Sequence, residues 1–258
     1  MTQNLSTNHD LKITKDGSHT LYSNRFNQHY HNPNGAVAES VHNFFETNGL
    51  LEDLVLQNQI NILEIGFGTG LNLLLLADAY LYGEAGASIK FHSIEAYPIS
   101  AKTASSFNFK DHLSYPELVQ KLPPLFNSLQ KGYNTKQFIA GIDATIFYGL
   151  FEDYDADNIQ FDFVFHDAFS PKVNPELWTK NTFVKLKSMS ARNCILTTYS
   201  AASKAKGAMA AAGWKLAKAP GALGKREMTV ASLNPEKLAE FERVDEVRLA
   251  KRYEKGDF

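Results

Sequence analysis

The sequence predicts an α/β protein: a doubly wound, mostly parallel sheet of seven strands that ends in an antiparallel hairpin, with an N-terminal β-hairpin and loop extension. Three observations predict it. From residue 60 onward short apolar runs alternate with helical stretches, and strands separated by helices pair in parallel with both faces covered. A glycine cluster, Gly66-Phe67-Gly68-Thr69-Gly70, stands between the first of those runs and the first helix. Near the C-terminus two apolar runs follow one another across a Gly- and Pro-containing loop that is too short for a parallel crossover.

The elements follow in order. Leu11-Lys12-Ile13-Thr14, Lys15-Asp16-Gly17 and His19-Thr20-Leu21-Tyr22 predict a hairpin, because glycine accepts the positive φ of a tight turn. The polar, His- and Asn-rich segment Arg25 to Asn34 reads as a loop or lid, and a helix runs from about Ala36 to Leu56. Asn61 to Ile65 is a buried strand, Leu71 to Tyr82 a helix, Ile89 to Ile94 a strand, and Ile99 to Phe107 a helix opened by Pro98. Gln137 to Ile142 and Phe161 to Phe165 are the third and fourth strands, bounded by polar residues or glycine. A helix over Pro175 to Met189, a strand over Cys194 to Thr198 and a helix over Ser203 to Ala212 come next. Trp214 to Ala217 and Glu227 to Leu233 make the terminal hairpin across Lys218 to Arg226. The chain thus divides into a hairpin, lid and helix over 1–58, a core over 59–233 and a helical tail over 234–258.

Composition narrows the function. With 258 residues, 44% hydrophobic and 21% charged, the chain can bury roughly 70–75% of the surface its unfolded form exposes. The start, MTQNLSTNHD, lacks the layout of a secretory signal, and the apolar run Leu71 to Ala77 is far shorter than a bilayer span. Cys194 stands alone, so a disulfide within the chain is excluded and a reducing cytoplasm is expected. His29 and His31 lie two apart in a polar loop with no nearby acid, so they are expected to be solvated or to face a substrate and no metal site is expected. The net charge of −2 excludes a protein that coats nucleic acid, yet residues 1–200 carry −6 and residues 201–258 carry +4. Between Ala201 and Arg226 there are six basic residues and no acid, either a solvated face or a local site for an anionic partner.

Four motifs carry chemistry. The glycines in Glu64-Ile65-Gly66-Phe67-Gly68-Thr69-Gly70-Leu71-Asn72 let backbone approach a ligand at a helix N-terminus. A dinucleotide fingerprint would need glycine at position 71, which is Leu71; the spacing resembles instead the cofactor loop of class I S-adenosyl-L-methionine (SAM) methyltransferases. Glu95 ends the second strand, where an acid either meets water or accepts from ribose hydroxyls. Asp143, after the third strand, either caps a helix or accepts from an adenine amino group. Asp167 follows the very apolar strand Phe161 to Phe165; it either holds the turn or takes a proton from an amine, which must be neutral to attack a methyl group.

Together these segments carry a family resemblance. Gly66-Phe67-Gly68-Thr69-Gly70-Leu71-Asn72, then Asp167-Ala168-Phe169-Ser170-Pro171 with Asn174-Pro175-Glu176-Leu177-Trp178-Thr179, and Lys225-Arg226-Glu227-Met228 resemble in order and spacing the SAM-dependent methyltransferase half of the MnmC family. Tyr30-x-x-x-Asn34-Gly35-x-x-x-Glu39 is similar to that family's Tyr-Phe-Ser-x-x-Asn-Gly-x-x-Glu region, with His31 and Asn32 replacing Phe-Ser and the spacings differing by one residue. Ala168 stands where the family often has glycine.

The resemblance implies a class I, Rossmann-like SAM methyltransferase fold and methylation of the aminomethyl nitrogen on a modified tRNA wobble uridine. It places Glu64, Gly66, Phe67, Gly68, Gly70, Asn72, Glu95, Asp143 and Asp167 around S-adenosyl-L-methionine, with Asp167 catalytic. Tyr30, Asn34, Glu39, Phe169 and Pro171 would meet the substrate, and Lys225 and Arg226, within the basic stretch Lys204 to Arg226, the phosphates of the anticodon stem-loop. Because the sequence ends at Phe258 without a second nucleotide fingerprint, a stand-alone methyltransferase is expected, with the amine supplied by a separate FAD-dependent oxidase or another enzyme. Two rivals share the sheet: a polyamine aminopropyltransferase, which wants more pocket carboxylates than the Asp167 region supplies, and a non-catalytic RNA-binding module, which would have no use for the intact loop and acids.

Overall fold

The structure, a computed structural model, describes residues 9–258, so the first eight residues of the expected 1–58 block lie outside the described residues. Chain order is β1 His9–Ile13, β2 His19–Ser23, β3 Gln28–His29, α1 Ala36–Val41, α2 Leu50–Leu56, β4 Gln59–Ile65, α3 Leu71–Tyr82, β5 Ser88–Glu95, α4 Ala101–Ala104, α5 Leu122–Ser128 and β6 Gly132–Ile139. It continues with β7 Ile142–Tyr148, β8 Phe161–His166, α6 Lys180–Ser188, β9 Ser190–Thr198, α7 Ser203–Ala211, β10 Lys215–Ala219, β11 Met228–Ser232, β12 Glu242–Arg243 and α8 Glu246–Lys255. The large sheet has the order β12-β10-β11-β9-β8-β4-β5-β7-β6, and β1-β2-β3 form a small one. Strands β7, β5, β4, β8 and β9 run parallel, and β11 and β10 close that side as the expected antiparallel hairpin.

Two strands separate this sheet from the seven expected. The run read as one strand, Gln137 to Ile142, contains a turn: Gly141 has φ +88°, and β6 pairs antiparallel with β7 on either side of it. Sequence periodicity misses this because Asn134 to Gln137 is polar and mostly exposed, so no apolar alternation marks β6. The second addition is β12, two residues of the tail that pair with β10. The tail's helical residues are a 3-10 turn over Pro235–Leu238 and α8, with β12 between them.

Three expected helices are shorter or broken, each by polar side chains that bond to nearby backbone. Asn48 donates from Nδ2 to the Phe44 carbonyl (2.8 Å) and accepts the Leu50 N–H (3.0 Å), so the 36–56 helix divides into α1, one π-helical turn over His42–Glu46, and α2. Ser105 and Ser106 hydroxyls donate back to the carbonyls of Ala101 and Thr103 (2.9 and 2.7 Å) and stop α4 after one turn. Thr179 is extended and its hydroxyl accepts the Thr182 N–H, which starts α6 afresh after a 3-10 turn over Pro175–Trp178.

The N-terminal hairpin is bound to the core through its turn. Asp16 accepts from the Thr14 and Ser18 hydroxyls (2.5 and 2.6 Å) and from the Ala38 N–H (3.2 Å), while Ser18 Oγ accepts the N–H groups of Ala36 and Val37. Those N–H groups belong to the first turn of α1, whose own N-cap, Gly35, has no side chain to offer; the hairpin therefore caps the helix from outside. A Cβ on Gly35 would stand 2.7 Å from Asp16 Oδ2, which explains glycine in the Asn34-Gly35 pair.

The core lies on both faces of the sheet. Phe165 of β8 is fully buried with its ring 5.1 Å from Phe44 and 5.8 Å from Phe45, clamping the π-helical turn to the sheet beneath the lid. Phe165→Ala should lower the free energy of unfolding by about 3–5 kcal/mol in urea denaturation, the cost of an aromatic-sized cavity.

Candidate active site

Three strand tips meet at the carboxyl edge of the sheet. The N–H groups of Gly66 and Phe67 donate to the Ile94 carbonyl (3.1 and 3.2 Å), and the Asp167 N–H donates to the Ile65 carbonyl (3.0 Å), which laces β4 to β5 and β8. Gly66 has φ +99°, and a Cβ there would lie 2.8 Å from the Asp167 carbonyl oxygen, so only glycine lets the loop after β4 pass this close to Asp167. Gly70 has φ +77° and abuts Leu122 and Phe67 as α3 begins.

Above these tips lie two cavities. The larger, about 760 Å³, is lined by Tyr30, Gly66, Phe67, Gly68, Asn72, Glu95, Asp167 and Phe169 among others. The smaller, about 350 Å³, opens between the lid and the strand ends, with Glu39, Tyr199 and Lys225 in its wall. Asp167, Tyr30, His31, Ala168 and Phe169 line both, so the two chambers share a wall that contains Asp167.

The acids form one network. Asn72 Nδ2, on the first turn of α3, donates to Glu64 Oε1 (2.8 Å) and to Asp167 Oδ2 (3.1 Å), and Ser93 Oγ donates to Glu64 Oε2 (2.5 Å). Burial pushes Glu64 up to about 8, outweighing its hydrogen bonds, and burial with the negative charges of Glu64 and Glu39 holds Asp167 well above the usual carboxylate range. Glu95 is also raised by burial, while its two oxygens accept the N–H groups of Gly68 (2.8 Å) and Tyr97 (2.7 Å). Buried Asn72 Oδ1 has no partner, an acceptor left for a ligand donor. Excess acid around an unsatisfied acceptor suits a cation: the ammonium and sulfonium of SAM fit this donor set and cavity.

Other site residues fall differently. Glu64 and Gly70 stand behind the cavity wall, Glu64 acting through Asn72. Asn34, Pro171 and Arg226 line neither cavity. Asp143 is a correction: it is exposed, is the second residue of β7, and pairs with Lys90 beside Asn61, at the amino edge of the sheet. Tyr148, five residues later and roughly 16 Å along the strand, is the β7 residue level with Glu95. The turn at Gly141, taken for a strand end, is a hairpin at the opposite edge. Gly149, Leu150, Phe151 and Glu152 supply the β7 side of the cavity instead.

The basic stretch is less open than its charge implies. Lys206 is buried against Glu227 (2.7 Å), Lys218 lies near Glu227 and Glu242, and Lys225 pairs with Glu39. Lys204, Lys215 and Arg226 remain exposed without an ion pair among the described residues.

The lid closes over the larger chamber through aromatic contacts. Phe26 lies 4.8 Å from Phe169 and 5.6 Å from Tyr97, the Arg25 guanidinium sits 3.7 Å above Tyr97, and Tyr30 meets Phe169 edge-on. His31, expected to be solvated or substrate-facing, is packed between the hydroxyls of Thr20 (3.1 Å) and Thr69 (3.2 Å) and is held neutral, its value lowered to about 4 by burial. It ties the small sheet to the glycine loop. Phe26 does not stand out in the sequence, and His31, which also lines both cavities, gives no sign there of its two threonine partners, because the lid has no periodicity to show which side chains turn inward. In the second half of the Asp167 run Trp178 is structural, its Nε1 donating to the Phe169 carbonyl (2.8 Å) and its ring packing with Phe183 around buried, neutral His166, while Asn174, Glu176, Leu177 and Thr179 line the larger cavity.

Comparison with known proteins bears on the family and the fold. Residues 144–234 match the family described as S-adenosyl-L-methionine-dependent methyltransferase. The chain is 32% identical over 228 residues to the tRNA 5-methylaminomethyl-2-thiouridine biosynthesis bifunctional protein MnmC of Leptospira interrogans, covering 85% of this chain and 35% of that protein. A similar likeness, 32% over 234 residues, holds for the protein of that name from Cupriavidus metallidurans, covering 86% of this chain and 34% of that protein. The chain thus spans about a third of the length of the curated relatives it matches. A crystal structure of MNMC2 from Aquifex aeolicus superposes with a TM-score of 0.75 at 24% identity, covering 97% of this chain and 77% of that one, and shares the fold. Among the described residues no helix is long and apolar enough to cross a membrane, and no group of three or more His, Cys, Asp or Glu is placed to hold a metal ion.

The raised acids set a pH dependence. A carboxyl group whose folded value lies above its unfolded one stabilises the fold below the unfolded value, and that contribution is lost as pH rises through the folded value. The ligand-free protein should therefore melt at lower temperature as pH rises from 5 towards 8, and Glu64→Gln should flatten that slope. Cofactor affinity should run the opposite way, rising over the same range with proton release in calorimetry, because a bound cation favours the ionised acids. Asp143→Ala should leave cofactor affinity unchanged.

Proposed function

Because the chain belongs to the methyltransferase part of the MnmC family of SAM-dependent enzymes, we propose that it methylates the aminomethyl nitrogen on the modified wobble uridine of a tRNA. The observation that carries this reading is the shared wall: Asp167 faces both a cavity of cofactor size and a smaller pocket walled by Tyr30, Phe169 and Tyr199. The cofactor supplies its methyl group from a sulfonium, so a C–N bond forms as the C–S bond breaks and the electron pair stays on sulfur. Glu95 is the candidate partner of its ribose, and Asn72 with Glu64 that of its ammonium group.

Asp167 has two tasks. In the free protein burial and the facing acids Glu64 and Glu39 shift its balance towards the protonated form. A cation in the larger chamber reverses that balance and leaves a carboxylate at the pocket wall, able to accept the proton that the amine must lose. Tyr30 and Phe169 offer ring faces to a base swung out of the anticodon stack. Exposed Lys204, Lys215 and Arg226 remain candidates for phosphate contacts of the anticodon stem. The amine comes from another activity, with a FAD-dependent oxidase as candidate, and a tRNA substrate places the reaction in the cytoplasm.

Incubation with SAM and tRNA bearing aminomethyluridine should add the mass of one methyl group to that nucleoside in mass spectrometry. Asp167→Asn should slow this by roughly 10²-fold or more while still binding the cofactor, the scale expected when a positioned base is removed. No added methyl with the unmodified protein would reject the wobble-base substrate.

A further inference from the structure

The smaller chamber already holds a cation of the protein's own. Lys225 stands on the loop between β10 and β11, which the hairpin carries to the carboxyl edge beside the end of β9. Its Nζ lies 2.5 Å from Glu39 Oε1 and 5.0 Å from the centre of the Tyr199 ring. Glu39 is 8% exposed and fixed from behind, since Asn32 donates its backbone N–H to Oε2 (3.0 Å) and its side-chain N–H to Oε1 (3.2 Å). Asp167 stands in the same chamber. An alkylammonium between a buried carboxylate, an aromatic face and Asp167 is the environment an aminomethyl group needs there, because that group is itself an alkylammonium at neutral pH.

Lys225 is also held differently from its neighbours. Lys206 on α7 and Lys218 on β10 are anchored to Glu227 just before β11, whereas Lys225 is half exposed and reaches Glu39 across the chamber from a loop that turns through positive φ at Leu223 and Gly224. The side chain can leave without disturbing the sheet.

We infer that Lys225 occupies the acceptor-ammonium position in the free enzyme and that an amine-bearing acceptor displaces it from Glu39. This rests on the proposed amine acceptor. Glu39 then becomes a residue that distinguishes a cationic acceptor from a neutral one of the same shape, and Lys225 a competitor that weakens every amine. A phosphate-binding Lys225 would act in the opposite sense and favour both acceptors alike.

The test compares affinities for two anticodon stem-loop RNAs that differ only at the wobble base, one with aminomethyluridine and one with hydroxymethyluridine. Phosphate contacts are common to both, so the ratio of the two dissociation constants isolates the ammonium. Lys225→Met should raise the preference for the amine roughly fivefold, the weight of a half-exposed ion pair, and Lys225→Arg should leave it near that of the parent. Glu39→Gln should move the ratio towards one. An unchanged ratio in Lys225→Met, or equal weakening of both RNAs, overturns the latch while methylation of the amine RNA by the parent enzyme leaves the proposed function standing. Failure of the parent to methylate that RNA removes the proposed function, and the latch with it.

Discussion

Everything near the site is arranged around acids that the fold has taken out of water. An ionised carboxylate in such a place costs several kcal/mol unless it is paired, so it either keeps a proton or finds donors. Glu64 and Asp167 share one donor group, the Asn72 amide, and Ser93 supplies a second to Glu64. The network is short of positive charge by construction. A cation supplied from solution would complete it, and that electrostatic fit is the ground on which a sulfonium cofactor is proposed beside this pair of raised acids.

Holding that network in place is the work of the surrounding backbone. Strands β4, β5 and β8 lie adjacent, so Glu64, Glu95 and Asp167 reach one edge although they are far apart in the chain. The positive φ at Gly66 lets the loop after β4 approach the tip of β8. Trp178 fixes the Phe169 carbonyl, and with it the loop that carries Asp167. On the other side the small sheet is tied to α1 through Asp16 and Ser18 and to the glycine loop through His31 and Thr69. The lid is thus a packed wall, whose inner face gives Tyr30 to both chambers.

Two chambers with a common acid divide the chemistry by charge and shape. The larger one has the strand-end acids and the glycine loop, and the smaller one has aromatic rings with the Glu39–Lys225 pair. Basic residues between 201 and 226 serve different ends: Lys206 neutralises Glu227 inside the protein, and Lys225 reaches into the smaller chamber. A charge count along the chain cannot separate these uses, because pairing is decided by which strands become neighbours.

Much of this was legible in the residues alone. Helix α3 has the bounds its apolar run predicts, the strands around Ile62, Phe91, Val164 and Leu196 stand where buried runs predict them, and the terminal hairpin pairs antiparallel. Asp167 was recognisable because a carboxylate directly after a very apolar strand is confined to the sheet edge. Asp143 was misplaced because a glycine turn reads the same at either end of a strand, and only the partner β6 shows which edge it occupies. The inward-facing lid residues were invisible for a related reason: irregular backbone has no period from which a facing direction can be taken. Local sequence determined which segments are strands and helices and which acids end them, since those choices depend on neighbours a few residues away. Tertiary structure alone decided that Glu39, Lys225 and Asp167 share a chamber, because strand order and the return of the β10–β11 loop bring together residues that lie far apart in the chain.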